Sequence, residues 1–270
     1  MAKTQFRSFG IKVPTDWRQP QGNVAARQYS EAFSAQERAV PPLPMPPALF
    51  LAASSNKYHT DTQKKLSDQF TAYIDGICGA ICSAWSQWQR AATLVGVSIN
   101  AMTASGGQVV GPPWMPLIMA SAPMSSPMEV KYSTAIALAI DTGWTAYQAS
   151  IKVPGLPWYP AFAAFPAPVA PPTPNVPVPV AALAQVTAPI SKSALMMSMI
   201  ANFGDPTALH QRELFDSIAD AFEKCFQTWQ TTTQVTNVMG TGPVPSFAPP
   251  LVPAGPVLGG VGIMAPGGFT

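Results

Sequence analysis

Apolar residues recur at steps of three and four in three stretches of the chain, and each stretch predicts an amphipathic helix. The first stripe runs Leu66, Phe70, Ile74, Ile77, Ile81, Trp85, Trp88. The second is Ser133, Ile136, Ile140, Trp144, Tyr147, Ile151, and the third is Leu214 or Phe215, then Ile218, Phe222, Phe226, Trp229. Start signals agree with these positions. Ser126-Pro127-Met128-Glu129 reads as a capping box with proline at the first helical position. Asp205-Pro206 reads as an Asp cap for the third helix, and Thr60 or Asp61 as the cap of the first. Short apolar pieces precede the three helices at Ala48–Ser54, Leu117–Ala122 and Ala194–Ala201. A further helix is predicted over Val24–Val40, capped by Asn23.

Each long helix ends in the same kind of block, aromatic–x–x–aromatic–Gln. The three copies are Trp85, Trp88, Gln89; Trp144, Tyr147, Gln148; and Phe226, Trp229, Gln230. They are read as the core anchors of a diverged internal repeat, because their unequal spacing does not suit a regular solenoid.

Between the helices the charge vanishes. No Asp, Glu, Lys or Arg occurs in Ala91–Met128, in Val153–Ser191, or in the 46 residues after Lys224. Proline and glycine concentrate in the same places, and a tract such as Pro171–Pro179 favours polyproline II over a central strand. The expected fold is therefore mainly α, with three related amphipathic-helix units, each followed by a long Pro/Gly-rich irregular extended arm, and little regular β-sheet. The expected division is an N-terminal arm plus short helix (1–42), helical repeat 1 with an uncharged arm (43–111), repeat 2 with a Pro-rich arm (112–188), and repeat 3 with an uncharged C-terminal arm (189–270).

Composition sharpens this reading. Forty-seven per cent of the 270 residues are apolar, which excludes a disordered chain, yet only 10% are charged where about 25% is usual. A net charge of +2 gives no electrostatic reason to expect nucleic acid as partner. The basic N-terminal arm (Lys3, Arg7, Lys12, Arg18) belongs to a region with six basic and three acidic residues up to Arg38, mild enough to suit docking on protein. The arms carry Trp114, Trp158, Tyr159, Phe162, Phe165, Phe247, Leu251 and Phe269, which would form interaction surfaces if exposed.

Little in the sequence supports catalysis. His59, in the polar loop Asn56-Lys57-Tyr58-His59, and His210, in the first turn after Pro206, read as surface histidines. Cys78, Cys82 and Cys225 are read as small buried hydrophobes, and their odd number suits a reducing compartment. Glu213, Asp216, Asp220 and Glu223, with Arg212 and Lys224, read as a solvated helix face. Ser105-Gly106-Gly107 and Gly255–Gly262 lack the Lys-Ser/Thr of a phosphate loop and read as turns or close packing. No catalytic, cofactor or metal site and no small-molecule substrate is expected. Met1–Pro20 has no apolar core of a signal peptide, and no stretch suits a transmembrane helix.

The expectation is a non-enzymatic structural subunit of a large assembly, a phage virion or phage-tail-like particle assembled inside the cell, as a cement, neck or baseplate component. Its partners would be protein subunits, copies of itself or other particle components. Two alternatives stand beside it: a protein associated with a membrane interface, and an adaptor presenting polyproline segments to aromatic-lined grooves.

Overall fold

The computed structural model describes residues 1–10 and 53–270, and the side chains of all of these except 53–63. The helix expected over Val24–Val40 lies outside the described residues. The chain divides into two compact units, Thr4–Ala72 and Met1–Lys3 with Tyr73–Thr270. In the smaller unit Phe6, on helix α1 (Ala2–Ser8), meets Phe70 with ring centroids 5.1 Å apart.

The larger unit continues from helix α2 (Ala53–Ala91) into strands β1 (Thr93–Asn100) and β2 (Thr103–Val110). Helices α3 (Trp114–Met119) and α4 (Pro127–Ser150) follow, then β3 (Val153–Leu156), β4 (Val169–Thr173) and β5 (Val178–Pro179). Helices α5 (Lys192–Phe203) and α6 (Gln211–Thr232) lead into β6 (Gln234–Val235), β7 (Val238–Pro243) and β8 (Leu258–Met264). Six strands form one antiparallel sheet in the order β3-β2-β1-β8-β7-β4, and β5 pairs with β6 apart from it.

This overturns the expectation of a mainly α chain with irregular arms. The described residues combine long helices with a six-stranded antiparallel sheet, an α/β fold, and the uncharged segments supply the sheet. The physical reason is legible in β1. Val97 and Ile99 are fully buried while Ser98 and Asn100 face solvent, the alternation of a half-buried strand. A two-residue connection, Ala101-Met102, closes the hairpin to β2, and Ala101 takes the left-handed φ of 52° that such turns demand. Strands from 93–110, 153–173 and 238–264 thus share one sheet, so the three uncharged segments complete one another.

Helix starts divide. Ser126 and Glu129 form the expected capping box, with Glu129 N–H donating to Ser126 Oγ (3.2 Å) and Ser126 N–H to Glu129 Oε2 (3.1 Å). Asp205 does not cap α6. It accepts from Thr207 N–H (3.1 Å) and holds a turn, and α6 begins only at Gln211. Nor does α2 start at Thr60 or Asp61, since the helix is already formed at Ala53. The short apolar pieces at 117–122 and 194–201 fall largely on α3 and α5, while 48–52 lies outside the described residues.

A glycine floor shapes the inner face of the sheet. Gly240 on β7 and Gly262 on β8 are buried, and the Tyr159 ring occupies the room their missing side chains leave. A Cβ at Gly240 would lie 2.6 Å from Tyr159 Cζ, closer than real contacts allow. Tyr159 stacks on Phe162 (5.0 Å, 13°) and donates its hydroxyl to Val238 O at 2.6 Å. The Pro-rich stretch after β3 is thus fixed by this chain's own sheet.

Candidate interaction surface

The three aromatic–Gln blocks converge on Trp144. Its ring centroid lies 5.2 Å from Trp85, 4.8 Å from Trp88, 6.0 Å from Phe226 and 5.8 Å from Trp229. Tyr147 meets Phe226 edge-on at 4.8 Å. Each glutamine then reaches a segment outside its own block. Gln148 Oε1 accepts from Trp88 Nε1–H at 2.9 Å, and Gln89 Nε2 donates to Phe269 O at 2.9 Å. Gln230 Nε2 donates to Gln185 Oε1 (2.9 Å), which also accepts the Tyr147 hydroxyl at 2.6 Å. Burial pushes the Tyr147 hydroxyl well above its ordinary pKa, so it stays a donor. The nine residues expected as repeat anchors are brought together in one hub.

Five of the eight residues expected as an interaction surface face inward. Trp114, Trp158, Tyr159, Phe162 and Phe269 are buried within this chain. Trp114 sits 4.5 Å from Trp144, and Phe269 lies 5.7 Å from Trp88. Phe165 and Phe247 are half-buried, and Leu251 alone is open, at 87% exposure. The aromatics of the uncharged segments already have a surface to cover, the hub and the glycine floor. Trp114 is held further by Asp141 on α4, whose Oδ1 accepts from the backbone N–H of Trp114 (2.6 Å) and Met115 (3.2 Å).

Among the described residues, what is left open is the other face of the sheet. Residue pairing lines up Thr241, Val261, Ser98 and Ser105 in one row across β7, β8, β1 and β2, with Met239 beside Ile263 next to it. Val261 and Ile263 are 50% and 56% exposed, although β8 lies inside the sheet. Val110 on β2 and Val169 on β4 are exposed as well. None of the six strands carries a charged side chain. Both edge strands carry proline, Pro154 in β3 and Pro171-Pro172 in β4, which removes ladder donors at either end. The sequence signal for this face was the period-two run Val261-Gly262-Ile263, masked by its glycines.

Asn175 was not singled out either, though it is the buried clamp of the Pro-rich tract. Its Nδ2 donates to Val176 O (2.9 Å) and Val235 O (3.0 Å), and its Oδ1 accepts from Val238 N–H (2.9 Å). Within Pro171–Pro179, residues 171–173 and 178–179 pair as parts of strands β4 and β5 where polyproline II was expected.

The titratable groups are placed as follows. His59 lies in α2 and not in a loop, with its side chain outside the described set, and His210 precedes α6 with a left-handed φ of 59°. Cys78 is half-buried, but Cys82 and Cys225 are exposed, which corrects the reading of all three as buried hydrophobes. Both α2 cysteines sit on the flank of the apolar stripe, and only the one nearer the core is covered. Burial, then the Cys82 thiol, pushes Cys78 up to about 11. The α6 carboxylates are partly paired, with Lys192 2.8 Å from Asp216 and Lys224 2.6 Å from Asp220. Gly106-Gly107 and Gly259–Gly262 lie within strands β2 and β8 rather than in turns, and Gly107, Gly260 and Gly262 are the close-packed ones. Among the described residues, no three His, Cys, Asp or Glu side chains gather in a metal-binding group, and no helix is long and apolar enough to cross a membrane.

No family model, no curated protein and no solved structure matches this chain.

Proposed function

We propose that this chain is a non-enzymatic structural subunit of a large multi-subunit assembly, a phage virion or phage-tail-like particle, in which it serves as a cement, neck or baseplate component. The observation that carries this reading is the uncharged outer face of the six-stranded sheet, with Val261 and Ile263 at its centre. An antiparallel sheet facing water ordinarily shows a polar side, and Lys, Glu, Arg and Asp are the residues least often buried. A face of Ser, Thr, Val, Ile and Met with the amides of Asn100 and Gln108 costs less to desolvate than a charged one, since it holds no ion to strip of water. Apolar area covered there stabilises a contact by about 25 cal/mol per Å². Proline in both edge strands opposes growth by strand addition, so neighbours dock on the face. The choice of a virion among assemblies rests on the charge-poor, proline-rich composition.

The two alternatives find less support. A helix or face lying in a lipid interface gains from Lys and Arg that meet headgroups, and the sheet strands carry none. A polyproline ligand has to be free to enter a groove, whereas Asn175 ties the Pro171–Pro179 tract to Val235 and Val238.

The test is purification of particles from the source over a density gradient, with quantitative mass spectrometry of each fraction. The chain should track the particle proteins at constant stoichiometry. Recovery only in the slow, unassembled fractions would contradict the reading.

A further inference from the structure

We infer that the outer face of the β3-β2-β1-β8-β7-β4 sheet pairs with the same face of a second copy of this chain, an isologous contact centred on Val261 and Ile263; this rests on the assembly reading above and names its first partner.

Three observations point to a second copy over an unlike partner. The first is charge. In a two-fold contact every side chain near the axis meets itself, so any charge there repels its own copy. The six strands contain no charge at all, so a two-fold contact across them meets no like-charge repulsion, and they offer no charge for an oppositely charged partner to recognise. The second is area. With a rise of about 3.3 Å per residue and about 4.8 Å between strands, the six strands cover about 600 Å². Two such faces together bury about 1,200 Å², which reaches the lower bound of stable specific interfaces. The third is that the competing modes of self-association are opposed. The edge strands carry Pro154 and Pro171-Pro172, which disfavours extension of the sheet side by side. Face-to-face packing of two sheets about 10 Å apart remains, and it needs small or branched side chains that interdigitate. The row Thr241, Val261, Ser98, Ser105 is of that kind.

Sedimentation velocity on the purified full-length chain tests this, with three variants and far-UV circular dichroism on each. Wild type should sediment as a dimer. The double variant Val261→Asp with Ile263→Asp should be monomeric with an unchanged helical signal. Ser98→Lys changes a side chain that is already polar and exposed, so it keeps the fold if the double variant loses it. It should raise the dimer dissociation constant by about tenfold or more, because each lysine faces its own copy's field. Val186→Asp, exposed but off the sheet, should remain dimeric. A Ser98→Lys chain that dimerises like wild type overturns the proposal. A monomeric wild type that still co-purifies with particles overturns the self-pairing and leaves the assembly reading intact; a monomer absent from particles overturns both.

Discussion

The Trp88 indole donates its N–H to the Gln148 side-chain carbonyl at 2.9 Å, joining the last turn of α2 to the last turn of α4 across 60 residues. Both belong to aromatic–Gln blocks, and the bond lets a buried indole sit in an aromatic hub with its donor satisfied. Gln148→Leu, or Trp88→Phe, should therefore lower stability by about 1–3 kcal/mol. The double variant should lose less than the sum, because the two act through one bond. Urea unfolding followed by tryptophan fluorescence measures all three. Trp144→Ala, at the hub's centre, should cost about 3–5 kcal/mol.

The Tyr159 ring over Gly240 makes that glycine a steric requirement. Gly240→Ala puts a Cβ 2.6 Å from Tyr159 Cζ and 2.7 Å from Ile99 Cδ1, and should destabilise by about 1–3 kcal/mol. Shortening the ring in the same chain, Tyr159→Leu, should recover part of that loss in a double-mutant cycle. Gly79 on α2 is the counterexample, with open space around its Cα. Gly79→Ala should stabilise by about 0.5–1 kcal/mol in the same melt.

Asn175→Ala should open the Pro-rich tract. It orphans the buried Val238 N–H, at about 1–3 kcal/mol, and removes one of the bonds to Val235 O, which stays paired with Val178 across β5 and β6. Hydrogen exchange at the Val238 amide should quicken well before global unfolding does. Equal protection in the variant would mean that the tract is held by other contacts.

Alkaline pH should destabilise the larger unit in a defined window. Cys78 is raised from an ordinary 9.0 to about 11 by burial, and Tyr132 from 10.0 to about 12, also by burial. Each acid ionises more easily unfolded than folded. Its stabilisation is therefore complete below the unfolded pKa and is lost as pH rises through the folded one. The midpoint of urea unfolding should fall from about pH 9 to pH 12 and fall less steeply in Cys78→Ala. Cys78 is half-buried and its thiol is pushed up by burial, so alkylation at pH 8 should mark exposed Cys82 and Cys225 first.

The helices and their aromatic ends were open to a reading of the sequence, because a 3.6-residue period survives insertions and needs no knowledge of the partner. The sheet was not, and its own residues show why. In β8 the inward positions are Gly260 and Gly262, which leave no hydrophobic period to detect until the Tyr159 ring is known to cover this floor. In β4 two prolines suggest polyproline II and are tolerated only because the strand lies at an edge. The same gap misdirected the interaction surface. Trp158 and Phe162 look exposed while the segment has no partner, and become core once the sheet exists, whereas Val261 and Ile263 become the open apolar residues.

Carbene footprinting of the outer sheet face, read by mass spectrometry in the dilute free chain and in assembled particles, tests the central claim most directly. The account predicts that the β8 peptide with Val261 and Ile263 labels strongly in the free chain and loses that label on assembly, while exposed Val186 labels alike in both. Equal labelling of β8 in the two states would contradict it.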